Sequence, residues 1–211
     1  MVVYDDGVRY RRRQLAAHGD RATVLLFARD RVARALREVG RREPPWSLAP
    51  ALPASLYLAQ RRLRARLELA RDDPGDRRDL EREALDLLRR TLAAESSTGA
   101  AVQLPGYVTR TLALLNERHA QPLRLVDLGR EVGVTPPHLC RAFRRALGST
   151  VHGYLVEIRL RAAIDLLFDT RLPLAEVALA AGFSHQSHLT ETLRKATDTT
   201  PGHLRRELRG G

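Results

Sequence analysis

An internal repeat in the second half of the chain limits its fold more than any other feature. "LVDLGREVGVT" (125–135) aligns with "LAEVALAAGFS" (174–184) at an offset of 49 residues, pairing Asp127 with Glu176, Leu128 with Val177, Gly133 with Gly182 and Thr135 with Ser184. Past the turn the offset becomes 50, so that Leu139 meets Leu189, Phe143 meets Leu193, Arg144 meets Arg194, Arg145 meets Lys195 and Thr150 meets Thr200. Each copy runs a short apolar-faced helix into a glycine, then into a second helix whose outer positions are polar. That order is a helix-turn-helix. The glycine falls where a left-handed residue ends a helix, and Thr135 and Ser184 offer side-chain oxygens as N-caps. Leu128 and Val132, or Val177 and Ala181, are expected to bury the first helix. Leu139 and Phe143, or Leu189 and Leu193, pin the second.

A helix pinned on one side keeps a polar face on the other, which is what reading the edges of bases in a major groove requires. The segment between the copies, about 151–168, reads as one helix of roughly 27 Å at 1.5 Å per residue. Adjacent major grooves on one side of a duplex lie about 34 Å apart. One such chain has the span to address both.

Composition is consistent with an anionic partner and narrows the alternatives. The 211 residues carry a formal charge of +11, although Lys195 is the only lysine and the arginine excess also fits a GC-rich coding sequence. Residues 1–104 hold 21 basic and 15 acidic groups, and 105–211 hold 15 and 10, so charge alone does not locate a site. Cys140 is the only cysteine. It excludes an internal disulfide and a multi-cysteine zinc site, and fits a reducing cytoplasm. "MVVYDDGVRYRRR" has no apolar core segment to act as a leader, and the longest apolar run, Ala22–Ala28, is far short of the roughly 20 residues that span a bilayer. The paired acids Asp5/Asp6 and Asp72/Asp73 have no nucleophile or ligand cluster beside them. No phosphate-cradling glycine loop or triad pattern occurs, so neither an enzyme nor a cofactor is expected.

The first half is less regular. "MVVY" and "ATVLLFA" read as short strands within 1–28, and 29–39 as a helix with Val32, Ala35, Leu36 and Val39 inward. "GRREPPWSLAP" is a Pro-rich connector whose Trp46 is expected to pack on the N-terminal segment. Two helices follow in 50–96, broken at "DDPGD". The first has a leucine seam (Leu52, Leu56, Ala59, Leu63, Leu67, Ala70), and the second turns Leu80, Ala84, Leu87, Leu88 and Leu92 inward. They form an αα-hairpin, expected to make a homodimer through residues 52–92. Arg61, Arg62, Arg64 and Arg66 read as its solvated face. The fold class is mostly α: a seven-helix double helix-turn-helix domain over 105–211, preceded by the hairpin and by short strands with a helix over 1–45.

"PLAEVALAAGFSHQSHLTETLRK", "GVTPPHLCRAFRRALGSTVHGYL" and "TTPGHLRR" give the stretch from Leu123 to Arg205 a close resemblance to the C-terminal domain of the AraC/XylS family of bacterial transcription regulators. The resemblance covers about 90 residues. It implies two helix-turn-helix units on a shared long helix, acting on double-stranded promoter DNA, with RNA polymerase as a candidate further partner. Family members often carry an N-terminal cupin barrel, and "YRRRQLAAHGDRATVLLFARD" (10–30) is similar to the end of one. Only about 45 residues precede the hairpin, so a partial, cupin-like sensor is expected over 1–45.

Carried over position by position, the family's reading residues are Pro137, His138, Cys140, Arg141, Arg144 and Arg145 in the first unit, and Gln186, Ser187, His188, Thr190, Glu191 and Arg194 in the second. Arg141 suits guanine O6/N7 and Gln186 suits adenine. Arg144 and Arg145 suit phosphates, and Ser187 suits a phosphate or either base. His138 reads equally as a phosphate contact or a capping neighbour. Glu191 departs from the basic residue common at its position, and either accepts from cytosine N4 or weakens phosphate contact. His185 and His188 lack a third metal ligand, and Cys140 reads as a small filler on the reading face before a redox sensor. Two rivals stand beside this reading. A DNA-alkylation repair protein would need a cysteine cluster that is missing. A helical protein-interaction module that has lost DNA binding would account for Glu191 and the two prolines.

Overall fold

The computed structural model describes residues 27–42, 53–70, 73–94 and 104–210, and every regular element among them is a helix. These residues fall into two compact units, one drawn mainly from 27–94 and the other mainly from 104–210. The expected strand at 1–4, nearly all of the one at 22–28, and Trp46 lie outside the described residues. Of the cupin-like segment anticipated over 1–45, the described part is a short coil, helix α1 and the turn that follows it.

Helix α1 (Arg29–Glu38) forms where the periodicity predicts. Ala35 and Leu36 are buried against Leu88 and Leu92 of α3 (Pro74–Ala94), with Val32 and Val39 at the rim. The helix ends at Gly40, which takes φ 72°. Arg34 and Arg89 both donate to the Glu38 carboxylate, and the Arg89 bond is the main reason its pKa lies below the ordinary value.

Helix α2 (Ala54–Leu69) departs from the leucine seam. Ala54, Leu56, Leu58 and Leu63 are buried, whereas Leu67 and Leu69 stand 47% and 70% exposed. The seam is buried only in its first half, and Leu63 is already covered within the chain. Arg61 is buried as well, against the expectation of a solvated face. Arg64 pairs with Glu68 along the helix, and Arg66 reaches across to Glu83 of α3.

The second unit is a seven-helix array, α4 (Gly106–Arg118), α5 (Leu125–Val132), α6 (Pro136–Leu147), α7 (Val151–Asp169), α8 (Leu174–Ala180), α9 (Gln186–Thr197) and α10 (Pro201–Gly210). Helices α4, α5, α6 and the start of α7 enclose one core, from Val108, Leu112 and Leu115 through Leu128, Leu139 and Phe143 to Tyr154 and Ile158. The Phe143 and Tyr154 rings meet edge to face at 5.6 Å, a favoured aromatic geometry. Helices α8, α9 and α10 pack on one another and on α7, burying Val177, Ala178, Leu189, Leu193 and Leu204.

Helix α7 serves both halves by changing faces. Its buried residues are Val151, Tyr154, Leu155 and Ile158 in the first half, then Leu160, Ala163, Ile164 and Leu167 in the second. At about 100° per residue the two sets point to nearly opposite sides of the helix. The two helix-turn-helix units therefore sit on opposite flanks of a shared strut about 28 Å long.

Candidate nucleic-acid interface

The sequence repeat is also a repeat of hydrogen bonds. In the first copy Val134 N–H donates to the Gly129 carbonyl at 2.9 Å, and in the second Phe183 N–H donates to the Ala178 carbonyl at 2.8 Å. Gly133 (φ 74°) and Gly182 (φ 88°) take the left-handed turn at matching positions. The next helices end alike. Gly148 N–H donates to Arg144 O, and Asp198 N–H to Arg194 O, with both terminal residues left-handed. Thr150 then caps α7 by accepting from Gly153 N–H at 2.9 Å, and Thr200 caps α10 by accepting from His203 N–H at 3.2 Å. Each copy is thus three helices rather than two, with the same terminators at 49- or 50-residue spacing.

The two turns are not interchangeable, however. A Cβ at Gly133 would meet open space, whereas one at Gly182 would lie 2.6 Å from the His119 carbonyl and 2.9 Å from Ala120 Cα. The second turn is glycine for conformation and for closeness together. Gly129 is also constrained, because a Cβ there would come within 2.7 Å of the Val134 carbonyl.

Helices α6 and α9 are the two candidate readers. Leu139 and Phe143 of α6 are fully buried, and so are Leu189 and Leu193 of α9. On the opposite stripe of α6, Pro137, His138, Arg141, Arg144 and Arg145 are exposed. The corresponding stripe of α9 leaves Ser187, His188, Glu191, Arg194 and Lys195 exposed. Cys140 and Thr190 flank these stripes half-buried. Gln186 is exposed too, but by helical spacing it belongs to the row of Leu189 and Leu193 and projects only because it is the first residue of the helix. Pro136 and Pro137 occupy the opening positions of α6, where no intrahelical N–H partner is lost.

The helix starts differ from the expected caps. Thr135 is the N-cap of α6 but makes no side-chain cap bond. In α9 the N-cap is His185 rather than Ser184, and its Nδ1 accepts from His188 N–H at 3.1 Å. Ser184 Oγ instead meets His188 Nδ1 at 3.1 Å, and Phe183 presses edge-on against that ring at 5.2 Å. His185 and His188 are accordingly parts of a helix start, and the described residues contain no group of three or more ligands able to hold a metal. His138, the counterpart of His188, is likewise anchored. Its Nε2 lies 3.0 Å from the Tyr107 hydroxyl of α4, with the rings 5.4 Å apart.

Three residues outside the repeat's matched positions organise the readers. Tyr107 orients His138. Arg118 clamps Glu131 with two bonds of 2.8 and 3.0 Å, tying the end of α4 to α5. Arg159 of α7 donates from Nε to the His119 carbonyl at 2.7 Å and from Nη2 to the Gln121 carbonyl at 3.0 Å. Burial lowers the pKa of that guanidinium from its ordinary value. Nothing in spacing or periodicity points to these three, because each acts on an element distant in sequence.

Two helices exposing matching stripes from matching folds define a double helix-turn-helix domain. Residues 128–207 match the family described as a helix-turn-helix domain, and this part of the chain is a helix-turn-helix domain of the AraC type. Among curated relatives it is 40% identical over 86 residues to the HTH-type transcriptional regulator GlxA of Rhizobium meliloti, a stretch that makes up 41% of this chain and 26% of that protein. It is 28% identical over 104 residues to the HTH-type transcriptional regulator ArgR of Pseudomonas aeruginosa, covering 49% of this chain and 32% of that one. A solved AraC-type transcriptional regulator from Chromobacterium violaceum is 31% identical, with 48% of this chain and 91% of that chain covered and a TM-score of 0.46. The matched stretches span only 26% to 37% of the length of the curated relatives.

Proposed function

We propose that this chain is a sequence-specific, DNA-binding regulator of transcription whose helices α6 and α9 read two adjacent major grooves. The observation that carries the reading is the matched exposure of α6 and α9. Two copies of one fold bury the same register positions and leave the same ones outward, on opposite flanks of one strut. The chain's curated relatives GlxA and ArgR, both HTH-type transcriptional regulators, point the same way.

Within this reading Arg141 is the main base-reading residue of α6, since its guanidinium can engage guanine O6 and N7 together. Arg144, Arg145, Arg194 and Lys195 meet phosphates, which supply most of the affinity and nearly all of its salt dependence. Ser187 and Glu191 occupy the centre of the α9 stripe, and Glu191 accepts from a cytosine N4 amine. His138 and His188, held from behind by Tyr107 and Ser184, present a fixed ring edge. Gln186 reaches an adenine only from the helix end. Cys140 and Thr190 border the contact.

The chain acts in the cytoplasm, where its single cysteine stays reduced, and no described helix is long and apolar enough to cross a membrane. It assembles as a homodimer through residues 52–92, and RNA polymerase is a further partner at the promoter. Selection of bound duplexes from a random pool, followed by titration at two salt concentrations, tests the reading. Enrichment of a two-part site with steep salt dependence is expected. A chain that enriches nothing at either salt is an interaction module instead.

A further inference from the structure

A tandem reader on one strut needs its two halves held at a fixed rotation and distance, and the shared helix α7 is not the only tie between them. Arg159 stands where α7 changes its buried face, immediately after Ile158 of the first core and before Leu160 of the second. Its guanidinium donates to two carbonyls, His119 and Gln121, in the corner between α4 and α5. That corner leads directly into α5, the first helix of the first helix-turn-helix. Gly182, the turn residue of the second helix-turn-helix, lies against the same corner. A Cβ built there would fall 2.6 Å from His119 O, 2.9 Å from Ala120 Cα and 2.8 Å from Arg159 Nε. One side chain thus bonds the first unit at the point where the second unit's turn is seated. The arrangement has no counterpart at Gly133, where nothing lies within 4 Å.

We propose that Arg159 is a positioning residue that sets the spacing between half-sites, locking the turn of the second unit onto the α4–α5 corner of the first. It touches no DNA itself. The proposal rests on the DNA-reading function proposed above. Physically, a one-base-pair insertion between half-sites moves the second by about 3.4 Å and rotates it by roughly 35°. A locked pair of readers cannot follow that displacement, so one reader forfeits its contacts. A pair joined only by α7 and its packing can adjust more.

The test uses the full chain and a two-part site first selected from a random pool. Binding is measured on that duplex, on duplexes with one base pair added or removed between the half-sites, and on duplexes carrying either half-site alone. For the unaltered chain a loss of about tenfold or more is expected on each respaced duplex, the scale of one good bidentate base contact. For Arg159→Met the loss on respacing should shrink to about threefold or less, while binding to single half-sites stays within about twofold. Arg159→Lys, which keeps the charge but has one nitrogen to share between two carbonyls, should fall between. Thermal unfolding of each variant confirms that it is folded, and if Arg159→Met is not, the Lys variant is compared alone. An unchanged respacing penalty in a folded variant overturns the proposal. So does an equal loss on single half-sites, which would make Arg159 a support for one unit only. A native chain that selects no duplex at all overturns the DNA-reading function instead, an outcome seen before any variant is made.

Discussion

At the scale of single residues, exposure and backbone conformation separate what reads from what shapes. Arg141 is exposed at the centre of the α6 stripe. Arg141→Ala should therefore lose about 1–3 kcal/mol of binding, mainly at one base position. Competition among duplexes varied at every position checks this, and a uniform loss would make Arg141 a phosphate contact. The glycines offer a sharper contrast in stability. Gly133→Ala adds only the cost of a left-handed backbone, about 1–2 kcal/mol. Gly182→Ala adds the collision with His119 O and Ala120 Cα as well. Its loss should be roughly 3 kcal/mol or more, a sum of conformational strain and overpacking. Urea unfolding of the two variants side by side decides it, and equal losses would mean that the close approach is easily relieved. The repeat made both glycines legible as turn residues. It gave no sign that one of them is also a contact surface, because the neighbours that crowd it are 62 and 63 residues away in sequence.

At the scale of elements, helix starts are where the reading from residue types was least reliable. Thr135 and Thr150 both precede helices, yet only Thr150 accepts a cap bond, from Gly153 N–H. Thr150→Ala should cost about 1 kcal/mol, and Thr135→Ala should stay within about 0.5 kcal/mol of the parent. Denaturation midpoints at constant slope are the measurement. Part of the reason is local: α6 opens with two prolines, and Pro137 removes the N2 N–H, one of the two that a cap side chain can satisfy. In α9 the histidine at 185 takes the cap position that Ser184 was expected to fill. Helix α1 is held differently, by a carboxylate. Glu38 has its pKa lowered, chiefly by Arg89, so the ionised form is the one favoured by folding. That stabilisation is fully present above the ordinary value of 4.5 and fades as the pH falls through the lowered one. Glu38→Gln should weaken the α1–α3 unit at neutral pH and leave it nearly unchanged in acid. A variant equally weak at both pH values would show that the bond to Arg89 acts without its charge.

At the scale of the whole molecule, the proposed homodimer has its test in α2. The leucine seam was expected to supply the contact, but Leu63 is already buried within the chain, leaving Leu67 and Leu69 as the large apolar residues that α2 exposes. If the proposed homodimer forms through this face, Leu67→Glu should lower the sedimentation mass from that of a dimer to that of a monomer. A dimer that survives the change is held elsewhere. Mutating Leu63 instead would not discriminate, since a charge there disrupts the protomer first. The seven-helix count of the second unit, the outward faces of α6 and α9 and the long helix between them were all legible in advance, because each rests on periodicity inside a short window. The half-buried seam was not, since burial of Leu63 and exposure of Leu67 depend on what packs against each turn.

The sequence by itself determined that two similar helical units are joined by a rigid helix, and which side of each second helix faces outward. A repeat of apolar positions, glycines and threonines repeats the same short-range forces, and these act within a few residues. Only the tertiary structure decided how the two units are held together. Arg159 and Gly182 matter because of carbonyls at His119 and Gln121, and Tyr107 matters because of His138. Such partners become neighbours only after the chain has folded, and a hydrogen bond or a close contact across that distance leaves no period in the sequence to read.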